Sequence, residues 1–140
     1  MNSPTTTHVN TNDGVRLAYT QTGPASGDNI LFIPGWRQTA AQWHKQVSHF
    51  ETSYRVTTFD YRGHGDSDKP AFGHRIYRYA ADLLDLLTQL KLRQVHVVAH
   101  SMGCSVIWAL FDIYPTQARD LLAGVVLVDQ SPVSSFWIQS

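Results

Sequence analysis

The spacing of polar and apolar residues changes period several times along the chain, and each change predicts an element. His8–Thr11 and Val15–Thr22 alternate apolar with polar side chains, the period of half-buried strands, and Asp13-Gly14 between them is a favoured hairpin dipeptide. Ile30–Ile33 is an unbroken apolar run of strand length. Ala40–Phe50 predicts a helix, with Thr39 placed to cap it. Arg55–Phe59 predicts the next strand. Ile76, Ala80, Leu83, Leu84, Leu87 and Leu90 share one face of a helix over Ile76–Leu92, which leaves Asp82 and Asp85 on the solvent side. Val95–Ala99 predicts a strand, Met102–Tyr114 a helix stopped by Pro115, and Gly124–Val128 a further strand.

Strands alternating with helices imply an α/β fold with a mostly parallel sheet. The later strands are apolar throughout, so helices should cover both sheet faces. Ligands of such sheets bind at the carboxyl ends of the strands. There the four parallel-type strands lead into Pro34-Gly35-Trp36, Asp60, Ser101 and Asp129.

Composition narrows the class. A chain of 140 residues is enough for a single domain with a real core, over residues 1–140. Eleven basic and eleven acidic residues balance and form no basic stripe, which argues against nucleic acid or an anionic membrane as partner. Met1–Thr7 is polar and lacks a signal-peptide pattern, and the apolar run Leu121–Val128 is too short to span a bilayer. One cysteine, Cys104, fits a reducing compartment. The expectation is a cytoplasmic globular unit acting on a small-molecule substrate.

Val97-Val98-Ala99-His100-Ser101-Met102-Gly103 carries the chemistry. It reads as a buried strand entering a sharp turn at a serine, with a helix directly behind, so that the hydroxyl stands clear of regular structure. Small residues at Ala99 and Gly103 allow strand and helix to cross closely. Two further segments stand in register with it, Phe32-Ile33-Pro34-Gly35-Trp36 and Asp60-Tyr61-Arg62-Gly63-His64-Gly65-Asp66-Ser67.

Together the three motifs resemble the α/β-hydrolase family, in particular its cofactor-free serine hydrolases with a cap, across residues 15 to 132. They match the nucleophile elbow, the oxyanion loop and the Asp-x-Arg-Gly-x-Gly-x-Ser segment. The resemblance implies Ser101 as nucleophile and the backbone N–H groups of Trp36 and Met102 as an oxyanion hole, with no cofactor or metal. Ala99 stands where the elbow usually has glycine, and Pro34 where the loop usually has histidine. Asp129 occupies one of the two places the family uses for the acid of its triad; the competing reading is a turn anchor in Asp129-Gln130-Ser131-Pro132.

Other reactive side chains have plainer readings. His100 should point away from the hydroxyl and pack. His64 and His74 read as surface or hydrogen-bonded loop residues, Asp60 and Arg62 as ties between loops, and Cys104 as a small buried hydrophobe.

The family order is Ser, then Asp or Glu, then His. All seven histidines here precede Ser101, so no general base stands in its expected place. The chain therefore resembles the N-terminal part of such a fold, with cap and last strands absent. The strand Gly124–Val128 should then be an exposed edge, with Phe136, Trp137 and Ile138 nearby, open to self-association. Three functions stay open: a serine hydrolase of esters, lactones or similar carbonyls; a non-catalytic fragment or pseudoenzyme binding an apolar ligand or partner; and a perhydrolase or carbon–carbon bond hydrolase. Serine at 101, where dehalogenases and epoxide hydrolases carry aspartate, argues against those two reactions.

Overall fold

The structure is a computed structural model and describes residues 6–129. Six strands form one sheet: β1 (Thr7–Asn10), β2 (Arg16–Thr22), β3 (Asn29–Ile33), β4 (Arg55–Phe59), β5 (Val95–His100) and β6 (Leu122–Val128). Four helices join them: α1 (His44–Phe50), α2 (Ile76–Gln89), α3 (Met102–Ile113) and α4 (Pro115–Leu121). The strand order is β1-β2-β4-β3-β5-β6, with β3, β4, β5 and β6 parallel and the β1–β2 hairpin antiparallel. Gly14 makes the hairpin turn at φ +85°, a conformation glycine adopts without a Cβ clash.

The chain leaves β3 for β4 on one side, then returns through α2 to β5 on the other. This reversal opens a crevice at the carboxyl ends of β3 and β5, the usual ligand position in such sheets. The alternation of side chains along each strand divides the core. Leu31, Ile33, Val95, Val97 and Ala99 face α2 and α3 in the larger cluster, whereas Ile30, Phe32 and Val56 face Trp43 and α1. Each fully buried leucine of the larger cluster, such as Leu83 or Leu87, contributes roughly 1.5–3 kcal/mol.

Two expectations need correction. The segment 40–50 is a 3₁₀ turn, Ala40–Trp43, running into α1, and Thr39 makes no side-chain cap. The Ala40 N–H donates instead to Asp60 Oδ1 at 2.7 Å, so the acceptor comes from the end of β4. Asp82 is buried, not solvent-facing, and Asp85 is half-buried. Asp82 lies three residues after Tyr79 and four before Leu86, both buried, so it shares their face. The helix after Ser101 does stop before Pro115, and Pro115 itself opens α4, because proline suits a first helical turn as well as it ends a preceding helix.

Candidate active site

Buried strand β5 delivers Ser101 to the carboxyl edge of the sheet. Ser101 has φ 51° and ψ −117°, a conformation side-chain-bearing residues rarely adopt, and α3 starts at the next residue. Its N–H donates to the Val128 carbonyl at 3.0 Å, and its carbonyl accepts the Cys104 N–H at 2.9 Å. The elbow is thus held by β6 and by the first turn of α3. A Cβ on Gly103 would lie 2.9 Å from Ile33 Cγ2 and 3.0 Å from the Ile33 carbonyl. Only glycine lets α3 begin this close to β3.

The loop after β3 faces the elbow. A Cβ on Gly35 would lie 3.4 Å from Ser101 Cβ and 3.0 Å from His100 Nδ1, so the 34–36 backbone runs directly alongside the serine. Four hydrogen bonds fix this loop. Tyr61 Oη donates to the Pro34 carbonyl at 2.8 Å, and burial pushes the phenol well above its usual pKa, so it remains a donor. Gly35 N–H donates to Gln42 Oε1 at 3.1 Å, Arg37 N–H to His64 Nε2 at 3.3 Å, and Ala40 N–H to Asp60. Among the described residues, no other hydrogen bond takes up the amides of Trp36 and Met102. The Trp36 ring is exposed, with the Arg37 guanidinium 4.6 Å from its centroid. These two residues, Thr39 and His64 line an open cleft of about 450 Å³ beside the loop.

The 60–67 segment is itself clamped from below. Arg62 is fully buried and pairs with Asp82 at 2.7 Å and with Asp13 at 2.8 Å. Burial alone would lower the guanidinium's pKa, but the hydrogen bonds to Asp82 and Asp13 raise it overall. The same contact with Arg62 brings the Asp13 carboxyl down to about 2, against the smaller opposing effect of burial. One side chain therefore ties the β1–β2 turn, the loop after β4 and α2 together. Asp60 acts likewise, accepting from the Asp66 N–H at 3.0 Å as well as from Ala40.

The alpha/beta hydrolase fold family model matches residues 28–139. The chain belongs to the α/β-hydrolase family. It is 41% identical over 96 residues to a non-heme chloroperoxidase of Streptomyces lividans, covering 68% of this chain and 35% of that protein. It is 32% identical over 126 residues to the bifunctional esterase/perhydrolase DCH of Acinetobacter calcoaceticus, covering 89% of this chain and 45% of the relative. A bromoperoxidase structure from Bacillus anthracis superposes with a TM-score of 0.80 at 30% identity, over 88% of this chain and 44% of the other. The chain thus spans less than half the length of each of these relatives.

For an α/β-hydrolase, the histidines matter most. Those near the site are otherwise engaged. His64 uses both ring nitrogens: Nε2 accepts from Arg37, so Nδ1 carries the hydrogen and donates to the Arg62 carbonyl at 3.1 Å. His74 Nε2 donates to the Pro70 carbonyl at 2.8 Å. His100 has Nδ1 2.7 Å from Gln42 Nε2 and its ring edge-on to Trp43. Among the described residues, no histidine hydrogen-bonds to Ser101.

Asp129 sits directly after β6 at φ 60°, with its carboxylate largely exposed and 4.0 Å from His100 Nε2. The residues after it in the turn, Gln130-Ser131-Pro132, and the apolar Phe136, Trp137 and Ile138 lie outside the described residues. Cys104 is buried, donates through Sγ to the Ala99 carbonyl at 3.4 Å, and has its thiol pKa raised by burial. Such a thiol is a packing group. The described residues include no group of three His, Cys, Asp or Glu side chains placed to hold a metal ion, and no helix among them is long and apolar enough to cross a membrane.

Two residues at this site, Gln42 and Trp43, escape sequence reasoning. Both precede a helix, and nothing in their spacing links them to position 100. The burial of Asp82 was detectable, because a helical face that includes Tyr79 and Leu86 must also include it.

Proposed function

We propose that the protein is a serine hydrolase acting on an ester, lactone or similarly activated carbonyl through an acyl-enzyme on Ser101. The observation that carries this reading is the backbone of Ser101. A non-glycine residue is held at φ 51° at the start of a helix, with Gly35 packed against its Cβ. Strain of this kind persists where the surroundings enforce it, and here it presents a hydroxyl to an open edge.

Ser101 Oγ attacks the carbonyl carbon and gives up its proton to a base. The oxygen gains a full negative charge, which the N–H groups of Trp36 and Met102 receive. The amino end of α3 adds its dipole to Met102. Collapse expels the alcohol, which takes the proton back from the base, and water then cleaves the acyl ester to release the acid and restore Ser101. Among the described residues no histidine is bonded to Ser101 to serve as that base, and Asp129 is the candidate acid. The family resemblance supports a reaction without a cofactor, and the single buried thiol supports a cytoplasmic setting.

Serine chemistry also limits the reaction class. Opening an epoxide or displacing a halide would leave Ser101 as an ether, which has no carbonyl for water to attack. Perhydrolysis and carbon–carbon bond hydrolysis use the same nucleophile and oxyanion donors, and a substrate screen separates them from ester hydrolysis. A second reading, a non-catalytic protein binding an apolar ligand or partner, is favoured by the lack, among the described residues, of any histidine bonded to Ser101. Turnover of p-nitrophenyl esters decides between them. Ser101→Ala should reduce kcat by at least about a thousandfold with the fold intact. Equal turnover by the variant would refute the serine mechanism, and no turnover by either protein would favour the second reading.

A further inference from the structure

We infer that Gln42 is a positioning residue that locks the oxyanion loop to the elbow by fixing the tautomer of His100. This rests on the reading of the Gly35–Trp36 backbone as part of the oxyanion hole. Gln42 stands in the 3₁₀ turn after the loop, and its two amide ends have separate tasks. The Gly35 N–H can only donate, so the group 3.1 Å from it must be the carbonyl oxygen of Gln42. That leaves the Gln42 NH₂ facing His100 Nδ1 at 2.7 Å. An NH₂ group can only donate, so Nδ1 must accept, and the neutral ring carries its hydrogen on Nε2. Nε2 lies 4.0 Å from the Asp129 carboxylate.

The ring has little freedom to do otherwise. Trp43, the next residue, is buried and meets His100 edge-on at 6.4 Å between centroids, while its ring lies tilted against Phe32 of β3 at 4.9 Å. Gln42 and Trp43 therefore grip His100 from one short turn. That turn is itself pinned by Ala40 N–H to Asp60. His100 immediately precedes Ser101, and Gly35 immediately precedes Trp36. One side chain thus bridges the Gly35 peptide, next to the first oxyanion donor, and the imidazole of the residue before the nucleophile. Losing the bridge would leave the Pro34–Gly35 peptide held only through its carbonyl, by Tyr61, and so loosen the loop that carries the Trp36 N–H.

The test compares the full chain with Gln42→Met, which keeps the length and apolar bulk of the side chain but forms neither hydrogen bond. Imidazole nitrogen NMR should show a pyridine-like Nδ1 and a pyrrole-like Nε2 for His100 in the parent protein, and a tautomer mixture in the variant. The Gly35 amide should exchange with solvent roughly five- to tenfold faster in the variant, while amides of α2 exchange unchanged. Gln42→Glu adds a third arm: a carboxylate accepts from both neighbours, so His100 should move its hydrogen to Nδ1 and Gly35 should stay protected. A His100 pattern and a Gly35 exchange rate identical in all three proteins would overturn the assignment. These readouts need no turnover, so they stay decisive even if Ser101 proves unreactive. If ester cleavage is present, Gln42→Met should lower kcat with little change in KM.

Discussion

At the scale of single residues, the site depends on backbone positions that the side chains do not advertise. Ser101 occupies a conformation suited to glycine, and the bond it donates to Val128 and the one it accepts from Cys104 hold it there. Replacing it separates stability from chemistry. Ser101→Gly should be more stable than Ser101→Ala by about 1 kcal/mol, because alanine keeps the Cβ strain and glycine removes it. Denaturant unfolding of the two variants reads this directly, and equal stabilities would show the turn to be unstrained. The elbow serine was legible because its neighbours must be small and its strand apolar. Gln42 was not, since its role depends on a residue 58 positions away. Asp82 stood between these cases: its partner Arg62 belongs to a recognisable motif, but only the folded chain shows that the arginine is buried.

At the scale of elements, packing decides what period alone cannot. The pattern over Ala40–Phe50 is helical throughout, yet the first four residues tighten into a 3₁₀ turn because Asp60 takes the Ala40 amide and Trp43 fills the pocket under Phe32. The buried Arg62 clip joins three elements and gives the fold a specific acid sensitivity. The Asp13 carboxyl is lowered from 3.8 to about 2 in the folded protein. A depressed carboxyl contributes its full stabilisation above the unfolded value and loses it as pH falls through the folded one. Stability should therefore decline between about pH 4 and pH 2, and Asp13→Asn should flatten that part of the profile while costing stability at neutral pH. Thermal melts across that interval check it. Parallel slopes for the two proteins would mean that Asp13 does not carry the effect.

At the scale of the molecule, strand order and layering follow from the sequence because continuous apolar strands alternating with amphipathic helices have few other solutions. What covers the last strand does not follow. Among the described residues β6 pairs on one side only, and Val126, Leu127 and Val128 are exposed. Such an edge is a template for a second copy. Sedimentation of the chain should show concentration-dependent dimers that Val126→Lys weakens severalfold; a monomer at every concentration would rule the edge out as a self-association site. The substrate was equally illegible, since the cleft beside Trp36 and Arg37 is open and no cap bounds it among the described residues.

The central claim is that Ser101 is a nucleophile served by the Trp36 and Met102 amides. A fluorophosphonate tests it most directly, because its phosphorus accepts the serine oxygen and its phosphonyl oxygen takes the place of the oxyanion. Intact-mass and peptide-mapping measurements should find one adduct, on Ser101, absent from Ser101→Ala. An adduct on any other residue, or undiminished labelling of the variant, would contradict the account.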